Sequence, residues 1–206
     1  MKAGLVAVTI GLVMVAPGCC CTTPRYEPAF WNDQTWLRDC GNVPASGVIV
    51  SGGTTVQKCN NCYNYAANNR TNTYAQPGRA STTNYSQYSI RDGTLLDGFE
   101  ELPQSGKCSA EVSGDGTVVS CQTKVALFIG NFGEEFDFHF YRQDADGTWS
   151  HKPGGAPARN TDESGAVISN PETANRCGDA FCYNQFVAYL CACSDSVQGQ
   201  GHEKIR

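Results

Sequence analysis

The chain is short of several things. In 206 residues there are three histidines, two methionines and no run of lysines or arginines. With 20 acidic against 15 basic side chains, a net charge of −5 and no basic cluster, the composition argues against nucleic acid as a partner. No internal repeat and no low-complexity segment is present, which excludes solenoids and linker arrays. The apolar run "GLVAVTIGLVMVA" is short for a membrane span, and Pro17-Gly18 breaks a helix continuing from it. The pair Cys59/Cys62 has no second pair of matching spacing: Cys191 and Cys193 stand too close, Cys177 and Cys182 too far apart. That absence argues against a zinc clip, and the missing βαβ context and missing proline argue against a thioredoxin-type pair. No cofactor and no metal site is therefore expected.

Cysteine, by contrast, is abundant. Lys2, the apolar run and "APGC" read as a signal peptide over residues 1–18, and export predicts an oxidising compartment. Cys19 stands where a bacterial lipoprotein carries its lipid, although Ala16-Pro17-Gly18 departs from that pattern; membrane attachment would come through that lipid alone. Setting aside Cys19, Cys20 and Cys21 leaves nine of the 12 cysteines, an odd number. A disulfide framework with one thiol over suggests a working group. The tripeptides at Asn69 and Asn84 fit glycosylation in a eukaryotic secretory pathway.

Residues 19–45, rich in proline, tryptophan and polar side chains, read as an arm over a core, and 46–206 as one α+β domain. "GVIVSGG" reads as a short strand. "CSAEVSGDGTVVSC" alternates around Gly-Asp-Gly, a hairpin with a disulfide expected between Cys108 and Cys121. "TKVALFIG" is a continuous apolar strand expected at the centre of a sheet. "EFDFHFYR" alternates, with Phe136, Phe138 and Phe140 on one face and Asp137, His139 and Tyr141 on the other, polar, face. "DADG" then turns the chain into "TWSHK".

"KCNNCYNYAANNR" carries the chemistry. Asparagine is a poor helix former, so a helix here is set by packing or function. Asn60 and Asn61 can cap a helix whose first turn holds Cys62, where unpaired N–H groups favour a thiolate. A thiolate nucleophile needs a histidine. His139 lies on the polar side of its strand, His151 on the next strand, and His202 in a polar tail. "CNNCYNYA" resembles the papain-like cysteine peptidases in both cysteines and the following aromatic, with Asn60-Asn61 where that family has Gly-Ser or Gly-Ala. The resemblance implies a papain-like α+β fold with a Cys-bearing helix on an antiparallel sheet, Cys59 in a disulfide and Cys62 as nucleophile. It also implies Gln57 as oxyanion donor (one residue closer than usual), His139 as base, and His151 or Asp162 as orienter. The reverse, His151 as base with Asp162 orienting it, stays open. A Cys-His-His set resembles the compact peptidoglycan-cleaving relatives of papain. Peptide, peptidoglycan or another amide would then be the substrate.

A second resemblance covers more of the chain. "NCYNYAANNRTNTYAQPGRAS", "KVALFIG", "DFHFYRQDADGTWSHKPGG" and "SGAVISNPETANR" resemble a family of small proteins that includes an insoluble shell matrix protein of molluscs. It implies a secreted or matrix-associated protein and supplies no catalytic residues. Within these blocks, Arg79 and Arg142 are open to two roles, loop geometry or a clamp on a substrate carboxylate. Two functions follow as expectations: a secreted cysteine hydrolase or acyl transferase, and a non-catalytic matrix protein on a disulfide-stapled scaffold.

Overall fold

A computed structural model describes residues 23–41, 53–84, 89–103, 106–108, 111–112, 118–120, 122–132, 135–193, 199, 201 and 203–206. The expected signal peptide, the cysteines at 19–21, the "GVIVSGG" strand up to Gly52, Cys121 and His202 lie outside them.

The centre is a five-stranded antiparallel sheet. Its strands are β3 (Glu100–Glu101), β6 (Gln122–Phe132), β7 (Glu135–Gln143), β8 (Trp149–His151) and β9 (Phe181–Cys193), in the order β3-β9-β6-β7-β8. The apolar strand β6 takes the middle place that its sequence calls for. It is flanked by β9 and by β7, with Leu127 opposite Phe140 and Phe128 opposite His139. Its β-branched and aromatic residues fit a surface covered on both sides. Where β6 and β9 irregularly change register, Gly130 is required. A Cβ there would stand 1.9 Å from the Cys182 carbonyl oxygen, so the two backbones touch only because no side chain intervenes. Two small ladders lie outside this sheet: β1 (Trp36–Leu37) with β2 (Thr54–Thr55), and β4 (Glu111–Val112) with β5 (Val118–Ser120), the expected hairpin.

Alternation along the strands sorts two cores. Val125, Leu127, Phe138, Phe140, Leu190 and Ala192 face the short helix α2 (Cys62–Ala66), which buries Cys62, Tyr63 and Ala66 against them. Ala126, Phe128 and Tyr141 face the other way, with Trp149, Ile168 and Tyr183. The polar face expected for β7 is thus covered as well: His139 is 2% exposed and Tyr141 equally hidden. The loop after β8 supplies the cover, bridging back at Trp149–Ile168, His151–Arg159 and Thr161–Val167. A further helix, α3 (Ile90–Leu96), is capped by Ser89.

Among the described residues three disulfides are complete: Cys40–Cys59, Cys108–Cys191 and Cys177–Cys182. Cys193 is disulfide-bonded too. The pairing of Cys108 with Cys121 is therefore corrected. The antiparallel return of β9 beside β3 sets Glu100 opposite Cys191, and the chain leaving β3 delivers Cys108 to that sulfur rather than to the far end of its own hairpin. Arg142 is likewise no substrate clamp. Fully buried, it holds Asp144 at 3.0 Å, donates to the Tyr65 and Arg25 carbonyls and stacks on the Tyr65 ring, locking α2 to β7 and to the N-terminal arm.

Candidate functional site

The asparagines around Cys62 make its position possible. The Asn61 side chain accepts from the N–H groups of Tyr63 and Asn64, and Asn64 Oδ1 answers from the Asn61 N–H, a reciprocal cap. Asn61 also donates to Ala75 O, and Asn60 exchanges hydrogen bonds with Asn72. A helix of poor helix formers is thereby held from outside. Cys59 is tied to Cys40, and Cys62 is the free thiol among the described cysteines.

β8 pairs only with Tyr141–Gln143 of β7, because the chain departs at Lys152-Pro153. The N-terminus of α2 occupies the edge left bare. The Cys62 sulfur rests 3.9 Å from Phe138 O, close to the Phe140 N–H. A cavity of about 640 Å³ opens around this edge and so collects groups from both faces of β7: Phe136 and Phe138 from one, Asp137, His139 and Tyr141 from the other. Cys62, His139 and His151 all line it. Tyr74 lines it as well, with a left-handed backbone (φ 52) that a bulky residue adopts only under restraint. Gly154, another lining residue, is needed beneath it, since a Cβ there would meet the Tyr74 hydroxyl at 2.9 Å.

The two imidazoles form a relay. His139 Nε2 lies 2.7 Å from His151 Nδ1, and His151 Nε2 lies 3.0 Å from the Thr161 carbonyl oxygen. A carbonyl only accepts and so calls for a proton on His151 Nε2. The Arg159 Nε–H also approaches His151 Nε2, at 3.2 Å. An arginine N–H only donates and so calls for a lone pair on that nitrogen; in either tautomer His139 bonds His151 through Nε2 and its Nδ1 is unpartnered, while Arg159 is engaged by Glu163 as well. Burial pushes His139 well below the ordinary imidazole range and takes His151 down to about 4, so both are neutral. Burial also pushes the Cys62 thiol up to about 12, with the nearby Asp137 carboxylate adding to the shift. The thiol makes no hydrogen bond to either imidazole.

Two expected members stand apart from the cavity. The Gln57 amide donates to Gly155 O, and its oxygen accepts from Gln34. Asp162 spends its carboxylate on its own loop: Ser164 and Ala166 donate to one oxygen, the Asn175 N–H to the other, and these bonds hold it down to about 2. It does not orient a histidine; the Thr161 carbonyl beside it does. That group had no side-chain signal to betray it. Nor does the sequence set Lys152 apart from an ordinary surface lysine. It is fully buried, donates to Gln57 O (2.6 Å) and Gly154 O (2.9 Å), and is brought down to about 7 by burial. Among the described residues no group of three potential metal ligands gathers.

Over 135 residues the chain is 41% identical to insoluble matrix shell protein 1 of Ruditapes philippinarum, a stretch spanning 66% of this chain and 80% of that one. The chain belongs to that shell protein's family. No model of a protein family matches the chain, and no solved structure matches it. Membership in the shell protein family, together with the disulfides, identifies a secreted, extracellular protein.

Proposed function

We propose that the protein is a non-catalytic constituent of an extracellular matrix, its stapled α+β body being the functional product. The relationship to a protein named for an insoluble shell matrix carries this reading. The state of Cys62 supports it. The thiol is 4% exposed, held protonated by burial and out of hydrogen-bonding contact with a base, while Gln57 and Asp162 serve the fold.

One observation favours a second reading, a papain-like cysteine hydrolase or acyl transferase acting on a peptide, peptidoglycan or other amide. Cys62 and the unpartnered Nδ1 of His139 belong to one cavity, with His151 hydrogen-bonded to the other nitrogen of that ring. In that reading Cys62 attacks an amide carbonyl, His139 takes the thiol proton and returns it to the leaving amine, and His151 steadies the imidazolium.

Iodoacetamide labelling of the native protein, followed by mass spectrometry at Cys62, separates the two. The matrix reading expects labelling at pH 7 at least about 100-fold slower than in the unfolded chain, and unchanged in His139→Ala. Fast labelling that collapses in His139→Ala would replace it with the hydrolase.

A further inference from the structure

The cavity has a chemical character apart from the thiol. Its described lining includes two carboxylates, Asp137 and Glu163, and neither lysine nor arginine. Glu163 is already neutralised by Arg159, which leaves Asp137 as the uncompensated charge. Asp137 Oδ2 accepts from the Tyr183 hydroxyl at 2.7 Å and Oδ1 from the Phe138 N–H at 2.8 Å, so the carboxylate is fixed while each oxygen keeps a lone pair. Tyr74, Phe136, Tyr141 and Tyr183 line the same cavity, Tyr183 stacked on His139 and Tyr141 on His151. Phe136, 60% exposed, forms an aromatic lip. Independently of the carboxylate, His139 brings a side chain 2% exposed into the lining with its Nδ1 unpartnered, a polar atom awaiting a ligand.

We infer that this cavity binds a primary ammonium carried on an alkyl chain, a lysine side chain, with the ammonium at Asp137 and the stem against Ile90, Phe136 and Phe138. An ammonium suits the site better than a guanidinium. Both oxygens of Asp137 already accept one hydrogen bond, which obstructs the side-on fork that arginine prefers and leaves room for a point charge. The alkyl stem finds apolar surface on the same strand, within the same cavity. The inference concerns binding alone and stands whether or not Cys62 turns over.

Calorimetric titration with acetyl-Gly-Gly-Lys-Gly-Gly-amide tests it, beside the same peptide carrying norleucine, Nε-acetyl-lysine or arginine. The Cys62→Ser protein serves as host, so that thiol chemistry cannot contribute. The lysine peptide is expected to bind at least about tenfold more tightly than the norleucine and acetyl-lysine peptides, with arginine between. Asp137→Asn should erase the difference. Because that variant also loses part of the Tyr183 contact, a second measurement uses the host unaltered. Raising NaCl from 50 to 500 mM should weaken the lysine peptide and leave the norleucine peptide unchanged. Equal affinity for lysine and norleucine, a preference surviving in Asp137→Asn, an affinity for lysine indifferent to salt, or no binding at all would each overturn the inference.

Discussion

Two imidazoles buried 2.7 Å apart, one of them hydrogen-bonded to a carbonyl, cannot take up protons without disrupting the loop that covers them. His139 and His151 are held below the ordinary value of 6.5, His151 at about 4, whereas the unfolded chain binds protons near 6.5. Between pH 6.5 and 4 the unfolded state therefore holds more protons, and stability falls as pH falls. For His151 the loss across that window is of the order of 3 kcal/mol. At the alkaline end two buried groups act in opposite senses. Cys62 at about 12 against an ordinary 9.0 keeps its proton in the fold while the unfolded thiol releases it, so its contribution declines above pH 9; buried Lys152, at about 7 against 10.5, has shed a proton that the unfolded chain keeps, so its contribution rises from pH 7 to 10.5. Calorimetry from pH 4 to 10 should give a Tm that climbs from pH 4 and levels off near pH 9, where the Cys62 and Lys152 contributions oppose each other; a Tm flat from 6.5 to 4 would contradict a neutral buried pair. At this scale the sequence was partly readable. Odd cysteine parity and the helix-start setting single out Cys62, and the turn at "DADG" brings His139 and His151 onto neighbouring strands. Lys152 and the Thr161 carbonyl were not readable, since one looks like any surface lysine and the other is backbone common to every residue.

Among the elements, α2 depends most on a single side chain. Five residues cannot hold a helix by their own propensity. Asn61 supplies two acceptor contacts to its first turn and one donor contact to Ala75. Asn61→Ala removes all three from a buried place and is expected to cost about 2 kcal/mol, with chemical denaturation showing a lower midpoint at unchanged slope. A loss under about 0.5 kcal/mol would mean that packing of Tyr63 and Ala66 alone holds the helix. The strands were more legible than the helices. β6, β7 and β8 follow from apolar runs, alternation and a turn. What alternation could not reveal was that the polar face of β7 is roofed, because the roof is a loop, residues 152–177, with little periodicity of its own.

At the scale of the whole molecule, Cys108–Cys191 is the longest-reaching of the three disulfides complete among the described residues, joining residues 83 apart and fastening β9 to the chain leaving β3. Replacing both by alanine should lower unfolding stability by roughly 4 kcal/mol through the freed unfolded chain, with far-ultraviolet circular dichroism unchanged. A loss below about 1 kcal/mol would show that the sheet needs no staple. That pairing was hidden from the sequence because it depends on which strand returns beside which, a property of the assembled sheet. The sequestered thiol has one more consequence at this scale. Cys62 stands three residues from the Cys40–Cys59 bridge, and an exposed thiolate there would attack it and set the covalent pattern wandering. With a thiol at about 12, on the order of one molecule in 100,000 carries a thiolate at pH 7, buried beyond easy reach of a second bridge. Cys62 does not rewrite the bridges from within, so, on the proposed matrix role, a deposited chain keeps the connectivity with which it left the cell.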